Sequence, residues 1–353
     1  MKPWRRILII KPSSLGDIVQ SLPVLAALRA EHPTATIAWL AEATYADFLR
    51  HHPDVDVVFS YRRHVRGWLR RCQEQWQLAK ALRRFRPEVV LDLQGLARSA
   101  WFALLSGARQ RLGMSDAREL ARLGYTRVAG IPPRVQHAVD RYLRVIRTLL
   151  GRSAPLQFPL PRQRGAAFWA EEIIARLGGR PAVVCPGARW PTKRWPAEQY
   201  AAALRKLAAL GVEPWVIVGS ASERELARRL RRQCPRVRVA DLCGRTTLLE
   251  LTELLRRARL FLGNDSGTTH LAAAAGCPTV VLFTCTSPER AAPRGAPVRL
   301  VRAQVPCAAS YLKHCRHLCC MPTITVEAVT AAVLDLLRAA DAPRIPPTAS
   351  RPA

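Results

Sequence analysis

The chain has 353 residues, 49% of them hydrophobic, with 55 Lys+Arg against 26 Asp+Glu and a formal net charge of +29. That length suits two ordinary domains, each with its own core, rather than one. No apolar run approaches the roughly 20 residues of a membrane span, and the four-residue run Ile7–Ile10 is too short for a secretory signal, so a cytosolic protein is expected.

The charge favours an anionic partner. The basic residues are mostly Arg, spread along the whole chain, and no nucleic-acid reading module accompanies them. They support an anionic membrane surface, and a nucleic-acid partner is not expected.

In chain order, Ile7-Leu8-Ile9-Ile10 predicts a buried strand over 6–11. The loop Pro12-Ser13-Ser14-Leu15-Gly16 carries it to Asp17, where Ile18, Leu22, Leu25 and Leu28 predict a helix over 18–30. Asp17 at that helix start is either a cap or a working group. Strands follow at 35–41, 55–60 and 88–93, with helices at 43–51, 66–86 and 97–106. In the helix 66–86, Trp68, Cys72, Trp76, Ala79 and Leu82 share one face among Arg66, Arg70, Arg71, Arg83 and Arg84. The simpler reading packs that face on the sheet; the other sets it against a membrane surface. The Pro-rich segment 152–165 reads as a linker.

Beyond it the alternation restarts: strands at 181–185, 214–219, 258–263 and 278–283, helices at 197–210, 222–233 and 267–275, and a closing helix at 325–340. The tail 341–353, rich in Pro, Ala and Ser, reads as disordered. Alternating strands and helices predict an α/β protein with two parallel, doubly wound sheets. The boundaries are 1–155, 166–324 and the helix 325–340. Neither half carries a Gly-x-Gly-x-x-Gly fingerprint or a P-loop, so dehydrogenases and P-loop phosphotransferases fit poorly.

Three further stretches join a strand's end to a helix. Asn264-Asp265-Ser266-Gly267-Thr268-Thr269-His270 offers free amides, a helix dipole and hydroxyls for an anion, or else a plain capped helix. Lys193-Arg194 between tryptophans suits phosphate, or is a solvated basic loop. In Gly219-Ser220-Ala221-Ser222-Glu223, the acid could take ribose hydroxyls or favour the helix start. The group Cys307, His314, Cys315, His317, Cys319 and Cys320 lacks the paired Cys-x-x-Cys spacing of structural zinc sites, so no metal is assigned.

Taken together, Lys11-Pro12-Ser13-Ser14-Leu15-Gly16-Asp17, Asp92-Leu93-Gln94-Gly95-Leu96, Lys193-Arg194-Trp195-Pro196 and Asn264-Asp265-Ser266-Gly267-x-x-His270 resemble glycosyltransferase family 9, over roughly residues 5–340. The resemblance implies a GT-B fold of two facing Rossmann-like domains, and an inverting, metal-independent transfer without a cofactor. ADP-heptose would be the donor and the Kdo of lipid A the acceptor, on the inner face of the cytoplasmic membrane. Gly113-Met114, Ala117-Arg118-Glu119, Gln136-His137-Ala138-Val139 and Tyr61-Arg62-Arg63-His64 look most like heptosyltransferase I. Heptosyltransferase II is the alternative. Phe283-Thr284-Cys285-Thr286 lacks the glycine the family usually carries after the Phe, so the neighbouring loop is expected to differ.

By the same resemblance, Asp17 would be the general base and Lys193 would stabilise the leaving diphosphate. Asp265 would hold heptose hydroxyls, Ser266, Gly267, Thr268, Thr269 and His270 would form the donor loop, Glu223 would hold the ribose, and Thr246 would lie near the nucleotide. Ser13, Ser14, Gly16, Arg62, Arg63, Gln94, Arg98, Arg118 and His137 would line the acceptor side.

Overall fold

The computed structural model describes residues 4–63, 65–134 and 137–341. His64, Gln136 and the tail from residue 342 onward lie outside them.

The N-terminal half builds β1 (Arg6–Ile10), α1 (Leu15–Glu31), β2 (Thr36–Glu42), α2 (Ala43–Arg50), β3 (Val57–Tyr61), α3 (Trp68–Phe85), β4 (Val89–Asp92), α4 (Ala97–Leu105), β5 (Gln110–Met114), β6 (Arg127–Ala129) and α5 (Ala138–Leu150). All six strands are parallel, in the order β3-β2-β1-β4-β5-β6. The second half repeats the plan with α6 (Arg164–Leu177), β7 (Ala182–Cys185), α7 (Ala197–Ala209), β8 (Trp215–Ile217), α8 (Arg224–Arg232), β9 (Val239–Asp241), α9 (Leu248–Arg257), β10 (Leu260–Asn264), α10 (Gly267–Ala274), β11 (Thr279–Phe283), α11 (Pro288–Ala291), β12 (Val298–Arg302) and α12 (Val326–Asp341). Its order, β12-β11-β10-β7-β8-β9, is the same doubly wound pattern.

The central strands are buried on both faces, which is why they read as unbroken apolar runs. The strand order reverses between β1 and β4, and again between β7 and β10. Crevices for ligands open at those switch points, at the strands' carboxyl ends. In the first sheet Ile10 pairs with both Leu40 and Asp92, so Lys11, Glu42 and the loop after Asp92 emerge side by side.

The face of α3 differs from the expected one. Leu78 and Leu82 are its buried residues, whereas Trp68, Cys72 and Trp76 face solvent. Only the second half of the helix packs on the sheet.

One hydrophobic cluster runs through both halves, from Ile9 and Leu25 to Leu254, Phe261 and Leu271. Helices α1 and α10 meet across the boundary. Two glycines permit the approach. A Cβ on Gly16 would lie 2.7 Å from His270 Cδ2, and one on Gly267 would lie 2.8 Å from Leu15 Cβ and 3.1 Å from the Gly16 amide nitrogen. Gly267→Ala must therefore push α10 off α1. Since a shift of about 1 Å in reacting groups can cost 10²-fold, this variant should lose at least about tenfold in turnover. A steady-state assay checks it; unchanged kinetics would show that the contact is not needed for alignment.

Candidate active site

Two cavities open at the two switch points. The first, about 410 Å³, is lined from the N-terminal half by Ser14, Gly16, Asp17, Gln20 and Tyr45, and from the C-terminal half by Gly187, Trp190, Lys193, Glu223, Asp265 to Thr268 and His270. The second, about 350 Å³, lies mostly on the N-terminal half among Ser13, Glu42, Tyr61, Arg63, Gln94 and Arg98. Ser14, Asp17 and Arg189 line both. Asp17 thus stands at the junction of the two spaces.

The carboxylate of Asp17 performs the capping role and still faces the cleft. Ser14 is the N-cap of α1, and its amide and hydroxyl donate to Asp17 Oδ2 at 3.0 and 2.9 Å. Tyr142, on α5, donates to Oδ1 at 3.3 Å. The side chain remains 41% exposed, enough for a second molecule to reach it. Beneath it, Lys11 is buried, 3.8 Å from Oδ1, and its ammonium donates to the Leu93 carbonyl at 3.1 Å. Burial works against ionisation of Asp17, but Lys11, the two Ser14 bonds and His270 outweigh it and hold the carboxyl below its usual value. Burial likewise opposes the charge on Lys11, yet Tyr142 and Asp17 keep it above the ordinary lysine range.

The loop over the second cavity is fixed by Asp92. This fully buried acid accepts from the amides of Gln94 (2.9 Å) and Gly95 (3.1 Å), from Ser99 Oγ (2.8 Å) and from the Tyr125 hydroxyl (2.7 Å). Arg98 stands beside the Tyr61 hydroxyl, and Arg63 lies 3.6 Å from Glu42.

Across the cleft, Asn264 ties β10 to the loop after β7. It donates to the Pro186 carbonyl at 2.8 Å and accepts from the Trp195 amide at 3.2 Å and the Tyr200 hydroxyl at 3.0 Å. Asp265, next along, is buried, with Lys193 Nζ 2.5 Å and Thr286 Oγ1 2.7 Å from its Oδ2, and His270 Nε2 3.6 Å from its Oδ1. Burial opposes its charge, but His270 and Lys193 prevail and hold the carboxyl far below its usual value. The Lys193 ammonium also sits 4.8 Å from the centre of the Trp190 ring.

The structure redistributes several of the expected residues. Asp265 and Lys193, given separate tasks in the sequence reading, pair with each other. Glu223 lines the first cavity, but its Oε2 accepts from the amide and hydroxyl of Ser220 at 2.6 and 2.8 Å. A Cβ on Gly187 would strike Glu223 Oε1, so that glycine makes room for the acid. Thr269 is buried and gives its hydroxyl to the Asn264 carbonyl. Thr246, just before the N-cap of α9, does not line either cavity.

On the acceptor side, Ser13, Ser14, Arg63, Gln94 and Arg98 line the second cavity, whereas Gly16 belongs to the first. Arg62 and Arg118 are exposed outside it. His137 lies elsewhere: it caps α5 and its Nε2 meets the Ala292 carbonyl at 2.9 Å, joining the two halves. Next to it, Arg294 donates to both oxygens of Asp140 at 2.6 and 2.8 Å. Sequence reasoning gave no role to Glu42, Tyr61, Tyr142 or Arg189. Glu42 and Tyr61 had a signal, since each ends or directly follows a predicted strand.

Among the described residues, no three His, Cys, Asp or Glu side chains are gathered to hold a metal ion. Cys307, Cys315, Cys319 and Cys320 instead line a cavity of about 20 Å³ with Cys285 and Thr192. The lining of this cavity supports the Lys193 loop: the Thr192 hydroxyl donates to the Leu312 carbonyl at 2.7 Å, and the Thr284 hydroxyl, just past β11, to the Thr192 carbonyl at 2.6 Å.

This architecture can be compared with known proteins. The model of glycosyltransferase family 9 (heptosyltransferase) matches residues 75–321. The chain belongs to this family. It is a glycosyltransferase. It is 30% identical over 325 residues to the lipopolysaccharide heptosyltransferase 1 of Pseudomonas aeruginosa, covering 88% of each chain. Among solved structures, the ADP-heptose lps heptosyltransferase II of Escherichia coli superposes with a TM-score of 0.77 at 25% identity, covering 96% of this chain and all of that one. The E. coli heptosyltransferase WaaC with ADP gives 0.70 at 25% identity over 94% and 99%. The fold of this family 9 chain is GT-B, as the sequence resemblance implies.

Proposed function

We propose that the chain transfers L-glycero-D-manno-heptose from ADP-heptose to the Kdo of lipid A, with inversion and without a metal, in lipopolysaccharide core synthesis. The observation that carries this reading is the position of Asp17, shared by a cavity on the side of Lys193, Asp265 and the α10 N-terminus and a cavity on the side of Arg63 and Arg98.

In this reading the nucleotide-sugar fills the first cavity. The N-terminus of α10 and the Lys193 ammonium meet its diphosphate, and the Asp265 carboxylate holds Lys193 in place. Charge building on the departing ADP is stabilised by groups already oriented toward it. Glu223 keeps one oxygen for the ribose. The acceptor enters the second cavity, where Arg63 and Arg98 meet its carboxylates or phosphates. Its hydroxyl attacks the anomeric carbon from the face opposite ADP and passes its proton to Asp17. A carboxylate there also favours the positive charge that grows on the sugar ring. Because the cations are supplied by the protein, chelators should leave the rate unchanged.

The test offers ADP-heptose with Kdo-lipid A and, separately, with the heptosylated acceptor of heptosyltransferase II. Product on the first, with ADP released and the anomeric configuration inverted, is the expected result. The superposition on the heptosyltransferase II of E. coli, with a TM-score of 0.77, gives the second acceptor its weight. Product on that acceptor alone would move the chain to the second step, and no transfer to either would overturn the reading.

A further inference from the structure

Among the described residues, the first half of α3 keeps its large apolar side chains in solvent, and it is not alone. Trp68 is 73% exposed and Leu69 66%; Trp101 and Leu104 on α4 are 54% and 44% exposed; and Leu120 and Leu123, at the short 3₁₀ turn Ala121–Gly124, are 79% and 82% exposed. These elements adjoin: α3 packs on α4, and α4 packs on the turn. Large apolar side chains scattered singly over a surface need no explanation. Six of them concentrated on three neighbouring elements of one face do.

The exposed charge on the same face is mainly positive, with Glu119 beside the turn and the half-buried Glu74 on α3 as its acids. Arg66, Arg70, Arg71, Arg98 and Arg122 are exposed there. Tryptophan and leucine set among arginines is the composition of a surface that rests in the headgroup layer of an anionic bilayer, with the rings and leucines reaching the acyl boundary and the guanidinium groups meeting phosphates. A protein partner's interface would instead be depleted in charge at its centre.

The position of this face decides between a bilayer and a chance patch. It is continuous with the second cavity: Leu96, Arg98 and Phe102, from the start of α4, line that cavity together with Glu119, which precedes the turn. Arg98 belongs to both. A lipid-borne saccharide entering the cavity would therefore leave its lipid portion at the rim, beside Trp101 and Leu120.

We infer that the face made by the first half of α3, the outer side of α4 and the turn Ala121–Gly124 docks on an anionic phospholipid bilayer, with Trp68, Trp101, Leu120 and Leu123 inserting at the interface. This rests on the reading of the acceptor as a lipid-linked saccharide, and it names the surface that brings the enzyme to it. Docking places the mouth of the second cavity at headgroup level, so the acceptor sugar can be reached without extracting its lipid anchor.

The experiment keeps the charge constant. The variant Trp68→Ser/Trp101→Ser/Leu120→Ser/Leu123→Ser has the same net charge as the native chain, so electrostatic attraction of a basic protein to anionic vesicles is equal in both. Flotation is measured with vesicles of phosphatidylethanolamine and phosphatidylglycerol, at low salt and at about 0.5 M salt, where exposed charges are largely screened. The native protein should stay bound at high salt and the variant should bind at least about tenfold more weakly, since burying even one large apolar side chain is worth that much. All four side chains are exposed, so the melting temperature should hold; if it falls, the pair Leu120→Ser/Leu123→Ser gives the same readout.

Transfer to a soluble Kdo saccharide without its lipid should be unaltered in the variant, while transfer to acceptor embedded in vesicles should fall. Equal vesicle binding by variant and native protein at high salt overturns the inference. So does a variant that abolishes dimers in solution yet floats normally, which would make the face a contact between copies of this chain. If neither protein transfers heptose to the soluble saccharide, the acceptor reading fails, and flotation still reports separately on the docking face.

Discussion

Asp17→Asn should lower heptosyl transfer by about 10²–10⁴-fold, the usual worth of a positioned proton acceptor, while leaving affinity for ADP within a few fold. The choice of asparagine separates the two tasks the residue performs. Its side-chain oxygen can still accept from the Ser14 amide and hydroxyl, which now donate to Oδ2, so the start of α1 stays capped. It cannot take a proton. Asp17→Ala removes both functions and should add about 1 kcal/mol of destabilisation, typical of a lost helix cap. Both variants leave Lys11 without its anion, so that shared cost cancels in the comparison. Calorimetric ADP titration, melting temperature and turnover on the three proteins make the test. An Asp17→Asn enzyme that turns over near the native rate would remove the base from this position.

The pH profile follows from the same geometry. Lys11 and Ser14 hold the Asp17 carboxyl below its usual value. The base is therefore ionised throughout the neutral range, and the acid limb of kcat/KM for this group should lie below about pH 4. An acid limb near pH 6 would point to another group.

Lys193→Ala has the second large effect. Loss of one preorganised charge-stabilising donor typically costs about 10²–10³-fold in turnover. This variant also strands Asp265, whose buried carboxylate keeps Thr286 and His270 but loses its cation. Leaving a buried charged group short of its partner costs about 2 kcal/mol. The sign of the pH dependence follows from linkage. The folded value of Asp265 is depressed, so its contribution to stability is present above the unfolded value of about 3.9 and is lost as pH falls through the folded one. The native protein's advantage over Lys193→Ala should therefore be full at neutral pH and shrink on acidification. Melting curves from neutral to acid pH check it; a pH-independent difference would mean that the pair does not set the carboxyl's value.

Much of this was legible before any coordinates. The buried strands β1, β4, β7, β10 and β11 announce themselves because burial on both faces demands continuous apolar residues. The loops at their carboxyl ends could be placed for the same reason. The strands that went unread are β5, β6, β9 and β12. They lie toward the sheet edges, run to five residues at most and carry Arg or Asp, as in Gln110-Arg111-Leu112-Gly113-Met114. Such segments are too short for a period to stand out. Helices α5, α6 and α9 were also passed over, and Tyr142, which reaches Asp17 from α5, went with them.

Within the site, residues on the strand-end loops were found and residues brought in by tertiary packing were not. Sequence has no means of showing that Lys193 faces Asp265, 72 positions away, or that Arg189 borders two cavities. The place of His137, away from the second cavity, was hidden for the same kind of reason: its bond to Ala292 spans 155 positions.

The crossing of Gly16 and Gly267 is a tolerance written in backbone. Two helix starts from opposite halves meet there with no side chain between them. The spacing of Asp17, next to Gly16, and His270, three residues after Gly267, is therefore set by main-chain atoms in contact, which have no rotamer to change.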